Sequence, residues 1–106
     1  METALLGLAL PDVLEKLKEM LLRKGFIVQT MNLSVVVAYQ EGNWFKKACQ
    51  LVFEISTVNQ NVTRIDITAI LNSTKNNRQE EELIEETYAS AIYNNFTNIL
   101  QPHGIR

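Results

Sequence analysis

The residues CQLVFEIS (49–56) alternate between apolar and polar side chains, and the residues TRIDITAIL (63–71) repeat the alternation. The inward-facing members of both segments carry odd numbers: Cys49, Leu51, Phe53, Ile55, Ile65, Ile67, Ala69 and Leu71. A period of two is typical of an antiparallel sheet that has one face on the core and the other toward water. The two segments therefore predict neighbouring strands whose odd-numbered residues face the core.

The loop between these two strands sets their register. Equal parity on both strands requires that the numbers of directly paired residues sum to an even number. A three-residue loop, 59–61, meets that condition and pairs Val58 with Val62 and Ile55 with Ile65. We therefore expect a hairpin with this register.

Two further segments, 26–30 and 35–39, are rich in β-branched and aromatic residues and predict the strands before this hairpin. We assign Val36 to the outward-facing positions, together with Val52 and Ile70 on the following strands. If they cluster, these side chains form a small apolar patch on the open face of the sheet, which is a candidate partner site. The alternative is that they are scattered surface residues.

The first helix is predicted over residues 11–24, where apolar side chains recur at helical spacing. Asp12 and Glu15 match a capping box at its start. Gly25 follows the last turn and suits the left-handed residue that commonly ends a helix. A short strand over residues 4–9 is predicted before it.

The second helix follows the last strand. Its apolar residues recur every four positions, at Ile84, Tyr88, Ile92, Phe96 and Leu100. Asn77 and Glu80 form a second capping-box match. The acidic residues Glu80, Glu81, Glu82, Glu85 and Glu86 are expected to face solvent near the positive end of the helix dipole. Residues 102–106 are expected to form a flexible tail.

The order of these elements predicts one α+β domain that spans residues 1–106 in two layers. An antiparallel meander of four or five strands forms one layer, and both helices pack on one face of it, in the order (β)αββββα. A length of 106 residues agrees with a single domain.

Composition and charge argue against several classes of function. The formal net charge is −2 and the Lys and Arg residues are scattered, which disfavours nucleic-acid binding. The longest apolar run near the start, residues 4–10, is too short to span a membrane. His103 lies in the expected tail and Cys49 has inward parity, so we expect no catalytic, metal or cofactor site.

One aromatic residue is a candidate anchor. Trp44 lies near Gly42 in the segment between two predicted strands. An exposed tryptophan there would anchor a partner or ligand. The alternative is that it folds over the edge of the core.

Three segments carry a resemblance to a known class of domain: residues 11–26 (PDVLEKLKEMLLRKGF), residues 63–71, and residues 88–100 with Tyr93-Asn-Asn-Phe96. They resemble the small, helix-grip-like α+β domains of bacterial envelope lipoproteins, in which a helix precedes a Gly-Phe strand start and an aromatic-bearing helix comes last. The resemblance implies a non-catalytic binding or scaffolding module. A cytoplasmic location is expected from the chain as given, and the bacterial envelope if a leader has been trimmed.

Two functions follow as hypotheses. The first is a non-enzymatic interaction module that self-associates through the open sheet face, with a protein as partner and a homodimer as one candidate. The second is a small carrier of an apolar ligand, held between the C-terminal helix and the sheet. Five aromatic residues supply apolar surface for the carrier: Tyr39, Phe45, Phe53, Tyr88 and Phe96. The carrier requires a cavity of about 300 Å³ or more.

Overall fold

Five strands and two helices follow one another in the order βαββββα within residues 1–42, 47–72 and 77–97, which are the residues that the computed structural model describes. They are β1 (Glu2–Leu6), α1 (Leu10–Arg23), β2 (Ile27–Met31), β3 (Val35–Gln40), β4 (Cys49–Asn59), β5 (Val62–Leu71) and α2 (Arg78–Ile92). A single π-helical turn, Tyr93–Thr97, continues α2. The predicted α+β class and element order are confirmed. The first strand lies earlier than predicted, at 2–6 rather than 4–9.

The strands form one sheet in the order β1-β5-β4-β3-β2, and each neighbouring pair is antiparallel. Strands β2 to β5 are the predicted meander. Strand β1 joins the sheet beside β5, so α1 carries the chain from one edge of the sheet to the other.

The core lies between one face of the sheet and the two helices. The eight odd-numbered side chains of β4 and β5 that were predicted to face inward are buried. Helix α1 adds Val13, Leu17, Met20 and Leu21, and the last helical segment adds Ala89, Ile92 and Phe96. All of these residues belong to one apolar cluster, as expected when both helices cover the same face.

The hairpin between β4 and β5 is tighter than predicted. Ile55 pairs with Ile65, which confirms the predicted register, but Val62 pairs with Asn59 rather than with Val58. The side-chain Oδ1 of Asn59 accepts the backbone N–H of Asn61 at 2.8 Å and closes the turn one residue early. Val58 is therefore an extra, unpaired residue in β4, and the pairs farther from the turn, such as Ile55 with Ile65, keep the predicted register.

The start of α1 differs from its prediction, whereas its end does not. The capping box is wrong, because the helix begins at Leu10 with Ala9 as its N-cap and Asp12 lies inside the first turn. Pro11 suits that turn, where its missing N–H costs no helical hydrogen bond.

The predicted end of α1 at Gly25 is confirmed. Gly25 has φ +85°, its N–H donates to the Leu22 carbonyl at 3.1 Å, and the Phe26 N–H donates to Leu21 at 2.9 Å. This is the Schellman arrangement, which favours glycine because the left-handed conformation is costly for other residues. Neither helix is long and apolar enough to cross a membrane, within the residues described.

Candidate functional site

The prediction for Val36 is wrong. Val36 is fully buried on the core face, where it pairs with Phe53 of β4. The numbers of paired residues in β3 and β4 sum to an odd number, so the parity inverts between these strands and Val37 takes the outward position instead. Val52 is half-buried and Ile70 is 46% exposed on the open face, as predicted.

An uncharged zone nevertheless occupies part of the open sheet face. It consists of two adjacent rows of paired residues: Ile27, Tyr39, Gln50 and Ile70, and then Thr30, Val37, Val52 and Thr68. Charged side chains of the sheet lie beyond these rows, where Arg64 Nε is 3.1 Å from Asp66 Oδ1. Within this zone Val37 lies directly beside Val52, in the outward position that the sequence predicted for Val36.

Several sequence predictions concern residues outside those described. These are Trp44 as a loop anchor, Phe45 as part of the aromatic supply, Leu100 as the end of the apolar stripe, and the tail that holds His103.

Glu85 contradicts the prediction that all of the α2 glutamates face solvent. Its side chain is buried, and the carboxylate accepts the backbone N–H of Ala69 at 2.9 Å and the Arg78 guanidinium at 3.0 Å. The N-terminal ammonium of Met1 lies 2.7 Å from Glu85 Oε1. Glu80, Glu82 and Glu86 are exposed, as predicted.

Glu85 and Glu81 complete the hydrogen bonding of β5. Strand β1 pairs with β5 only from Thr63 to Ile67, which leaves the outer main chain of the last residues of β5 without a strand neighbour. Glu85 accepts the Ala69 N–H, and Glu81, one helical turn earlier, accepts the Leu71 N–H at 2.9 Å. Because unpaired buried N–H groups are costly, the two carboxylates act in place of a further strand.

The charge of Glu85 is stabilised by these contacts. Burial by itself would raise the pKa of Glu85, because it disfavours the charged carboxylate. Hydrogen bonds from the Met1 ammonium and the Ala69 N–H, together with the positive charges of Met1 and Arg78, outweigh burial and lower the pKa. Glu85 is therefore ionised and fully partnered, and we interpret it as a structural group rather than a catalytic one.

A cleft of about 330 Å³ lies between α2 and the sheet. Its wall is formed by Phe26, Cys49, Leu71, Ile84 and Tyr88, and its mouth by Gln40, Lys47 and Glu80. The wall is apolar apart from the Cys49 thiol and the Tyr88 hydroxyl, whereas the mouth is polar. This combination of a concave apolar surface with a few polar groups is typical of small-molecule sites.

The mouth of the cleft is held by Lys47. Its Nζ lies 2.7 Å from Asn77 Oδ1 and 2.7 Å from Glu80 Oε1. Asn77 is the N-cap residue of α2, as predicted, but the capping-box hydrogen bond is wrong, because its side chain accepts from Lys47 and makes no cap bond. The lysine therefore ties the start of α2 to the segment that leads into β4.

The wall of the cleft is ordered around Tyr88. The rings of Phe26 and Tyr88 meet edge to face, with centroids 5.7 Å apart and planes at 89°. Lys24 Nζ lies 5.9 Å from the centroid of the same tyrosine ring. Burial raises the pKa of Tyr88, and its electrostatic interaction with the neighbouring Cys49 side chain raises it further. The phenol is therefore protonated at neutral pH and can donate a hydrogen bond, but it is a poor general base.

The polar groups at the mouth of the cleft form an ion pair, and the described residues include no metal-binding cluster. Lys47 and Glu80 are paired with each other at 2.7 Å. The described parts of the chain contain no group of three His, Cys, Asp or Glu side chains that could hold a metal ion. The arrangement is suited to binding an apolar body and orienting its polar end.

Sequence reasoning found part of this site and missed the rest. It predicted a ligand space between the last helix and the sheet with five aromatic residues, of which Tyr88 lines the cleft. Phe53 and Phe96 are instead buried in the core, and Tyr39 lies on the open sheet face.

Sequence reasoning missed Lys47, Asn77 and Glu80, because nothing in their spacing signals a contact across 30 residues. The burial of Glu85 did leave a signal, since Glu85 stands four residues before buried Ala89, in line with the buried stripe.

Comparisons with known proteins do not place the chain in a family. No protein-family model, no curated protein and no solved structure matched the chain.

Proposed function

We propose that this chain is a non-catalytic binding module that holds a small, mostly apolar ligand in the cleft between α2 and the sheet. The observation that carries the proposal is the cleft itself. Its volume of about 330 Å³ falls in the range of roughly 300–1,000 Å³ that is usual for ligand sites. The apolar wall supplies affinity through burial, and the polar mouth supplies orientation.

The state of the titratable groups supports a binding role over an enzymatic one. The Tyr88 phenol is protonated, the Cys49 side chain is buried, and Lys47 is paired with Glu80. A reactive cysteine generally needs exposure and a lowered pKa, and a catalytic lysine needs to lose its charge.

A titration with 1-octanol, followed by amide NMR spectra of the full chain, tests the proposal. We expect saturable shifts centred on Cys49, Leu71, Ile84 and Tyr88. Ile84→Trp fills the cleft and should abolish those shifts. Leu83→Trp places the same ring on the adjacent position of α2, which is 62% exposed, and should leave them unchanged. Absence of saturable shifts, or shifts that survive Ile84→Trp in a folded protein, would contradict the proposal.

Self-association through the open sheet face is the second candidate, and the uncharged zone favours it. The zone contains eight side chains without a charge, and the cores of protein interfaces are likewise depleted of charged residues. From the spacing of strands and residues, the whole face covers roughly 600 Å². Two copies packed face to face would bury about 1,200 Å², near the lower limit for a stable interface.

Sedimentation of the purified chain over a range of concentrations tests this second candidate. We expect a dimer that Val52→Asp dissociates, because the new carboxylate lies directly beside Val37 in the middle of the zone. Leu83→Asp adds the same charge on α2 and should leave the dimer intact. A monomer at every concentration, or a dimer indifferent to Val52→Asp, would exclude this mode of association.

A further inference from the structure

The charges at the mouth of the cleft cancel. Among the described residues that line it, the charged ones are Lys47 and Glu80, and their nitrogen and oxygen atoms lie 2.7 Å apart. Lys24 is near the Tyr88 ring but does not line the cleft. The described lining therefore presents a closed ion pair, rather than a single unpaired charge, to the polar end of a ligand.

A charged ligand would be opposed by one member of this pair. A carboxylate that approached Lys47 would compete with Glu80 and be repelled by it, since like charges a few ångströms apart disfavour each other. An ammonium that approached Glu80 would meet the same opposition from Lys47. Either ligand would place its charge beside the like charge of the pair, which offsets the attraction of the other member.

An uncharged oxygen meets no such opposition. A lysine ammonium has three N–H donors, and Lys47 directs two of them to Asn77 and Glu80. The third can donate to a hydroxyl or carbonyl oxygen of the ligand while the pair stays closed. The Tyr88 hydroxyl, protonated at neutral pH, is a further donor on the wall.

The size of the cleft limits the apolar body. A volume of about 330 Å³ lies at the lower end of the roughly 300–1,000 Å³ that is usual for ligand sites, so the cleft suits a small ligand. The apolar wall favours a hydrocarbon chain or a small ring in that space.

We infer that the cleft selects a small uncharged amphiphile, with one hydroxyl or carbonyl oxygen toward Lys47, over an anion or cation with the same apolar body. This inference rests on the proposed ligand-binding function and specifies the chemical class of its ligand.

Three probes with one alkyl chain test the selectivity: 1-octanol, octanoate and octylammonium, each titrated into the full chain at neutral pH and followed by amide NMR. We expect 1-octanol to bind with the lowest Kd. Glu80→Gln removes the repulsion and frees Lys47, so it should improve octanoate binding relative to 1-octanol by about fivefold. Lys47→Met should shift the preference in the opposite direction, toward octylammonium.

Glu86→Gln is the matched control. Glu86 is exposed, lies on the side of α2 that carries Leu83 and does not line the cleft. Its replacement by glutamine changes the net charge by the same amount as Glu80→Gln. It should leave the ratio of the octanoate and 1-octanol Kd values unchanged. An equal change in Glu86→Gln and Glu80→Gln would overturn the inference, because net charge alone would then explain the preference.

The outcomes separate the inference from the function on which it rests. Tighter binding of octanoate or octylammonium than of 1-octanol to the unchanged chain would overturn the selectivity and leave the cleft as a binding site. Failure of all three probes to bind would overturn the proposed function itself.

Discussion

The two edges of the sheet differ in how the main-chain groups that lack a neighbouring strand are protected. At the edge formed by β1 and the end of β5, side chains from the last helical segment complete the hydrogen bonding. Tyr93 Oη accepts the Leu5 N–H at 3.0 Å, and the carboxylates of Glu85 and Glu81 accept those of Ala69 and Leu71. Three main-chain N–H groups on this side thus have a side-chain acceptor from the last helical segment.

The opposite edge, β2, has no such cover among the described residues. Strand β2 pairs with β3 alone, and no described residue bonds its outer main chain. The strand is five residues long and is interrupted by an irregularity between Val28 and Thr30. Shortness and a bulge are themselves ways to keep an edge from pairing with other chains. The edge formed by β1 and the end of β5 is therefore closed by long-range contacts, and we call it the closed edge. The β2 edge is protected by local geometry.

This contrast predicts that substitutions at the closed edge destabilise the fold more than substitutions at β2. The largest effect is expected for Glu85→Ala, which removes the acceptor of a buried N–H and the partner of Arg78. We expect a loss of about 3 kcal/mol in the free energy of unfolding, measured with urea. Glu86→Ala, at an exposed position of the same helix, should change it by less than about 0.5 kcal/mol. Equal effects of the two substitutions would show that the closed edge contributes nothing special.

The second largest effect is expected from acid, which should lower the contribution of the closed edge to the free energy of unfolding. The pKa of Glu85 is lower in the folded chain than its ordinary value of 4.5. A lowered folded pKa contributes stability above the unfolded pKa, and that stability is lost as the pH falls through the folded value. We therefore expect the free energy of unfolding to fall below about pH 4.5, with a shallower fall in Glu85→Gln. A profile that Glu85→Gln leaves unchanged would contradict the assignment.

A smaller effect is expected at the end of β1. Tyr93→Phe removes the acceptor of the Leu5 N–H. Because Tyr93 is 41% exposed, water can replace part of the bond, and we expect a loss of about 1 kcal/mol or less. Faster hydrogen exchange of the Leu5 amide is the specific readout. Tyr39→Phe, on the open sheet face, removes an equivalent hydroxyl and should leave that exchange rate unaltered.

The smallest effect is expected at β2. Thr30 is exposed on this edge strand, and Thr30→Lys should change the free energy of unfolding by less than about 0.5 kcal/mol. A loss above about 1 kcal/mol in urea denaturation would mean that β2 is as dependent on specific contacts as the closed edge, and the contrast would fail.

The elements most accurately predicted are those governed by local periodicity. The inward positions of β4 and β5, the end of α1 at Gly25 and the burial of Ile92 and Phe96 all follow from spacing along the chain, whereas Ile84 and Tyr88 of the predicted stripe are only half-buried. The errors fall where pairing between segments decides the outcome. The prediction for Val36 is wrong because the face that it occupies depends on the register between β3 and β4. The predicted pair of Val58 and Val62 is wrong because the side chain of Asn59 tightens the turn.

The candidate site shows the same division. The sequence predicts only a space between the last helix and the sheet, with five aromatic residues around it, of which Tyr88 lines the cleft. Lys47 and Glu80 at its mouth, 33 residues apart, could not be paired from the chain alone. The sequence groups Glu85 with the solvent-facing acids because burial of a carboxylate is unfavourable without specific partners. Partners that come from remote segments are not visible in the sequence.

The amino-acid sequence by itself determined the element order, the α+β class and the core face of β4 and β5, because alternation and helical spacing act within one segment. Tertiary structure alone decided which strand lies beside β5, which carboxylate is buried and which groups meet at the mouth of the cleft. These outcomes depend on distances between segments remote in the chain, and a hydrogen bond or ion pair forms only when folding has brought both partners within about 3 Å.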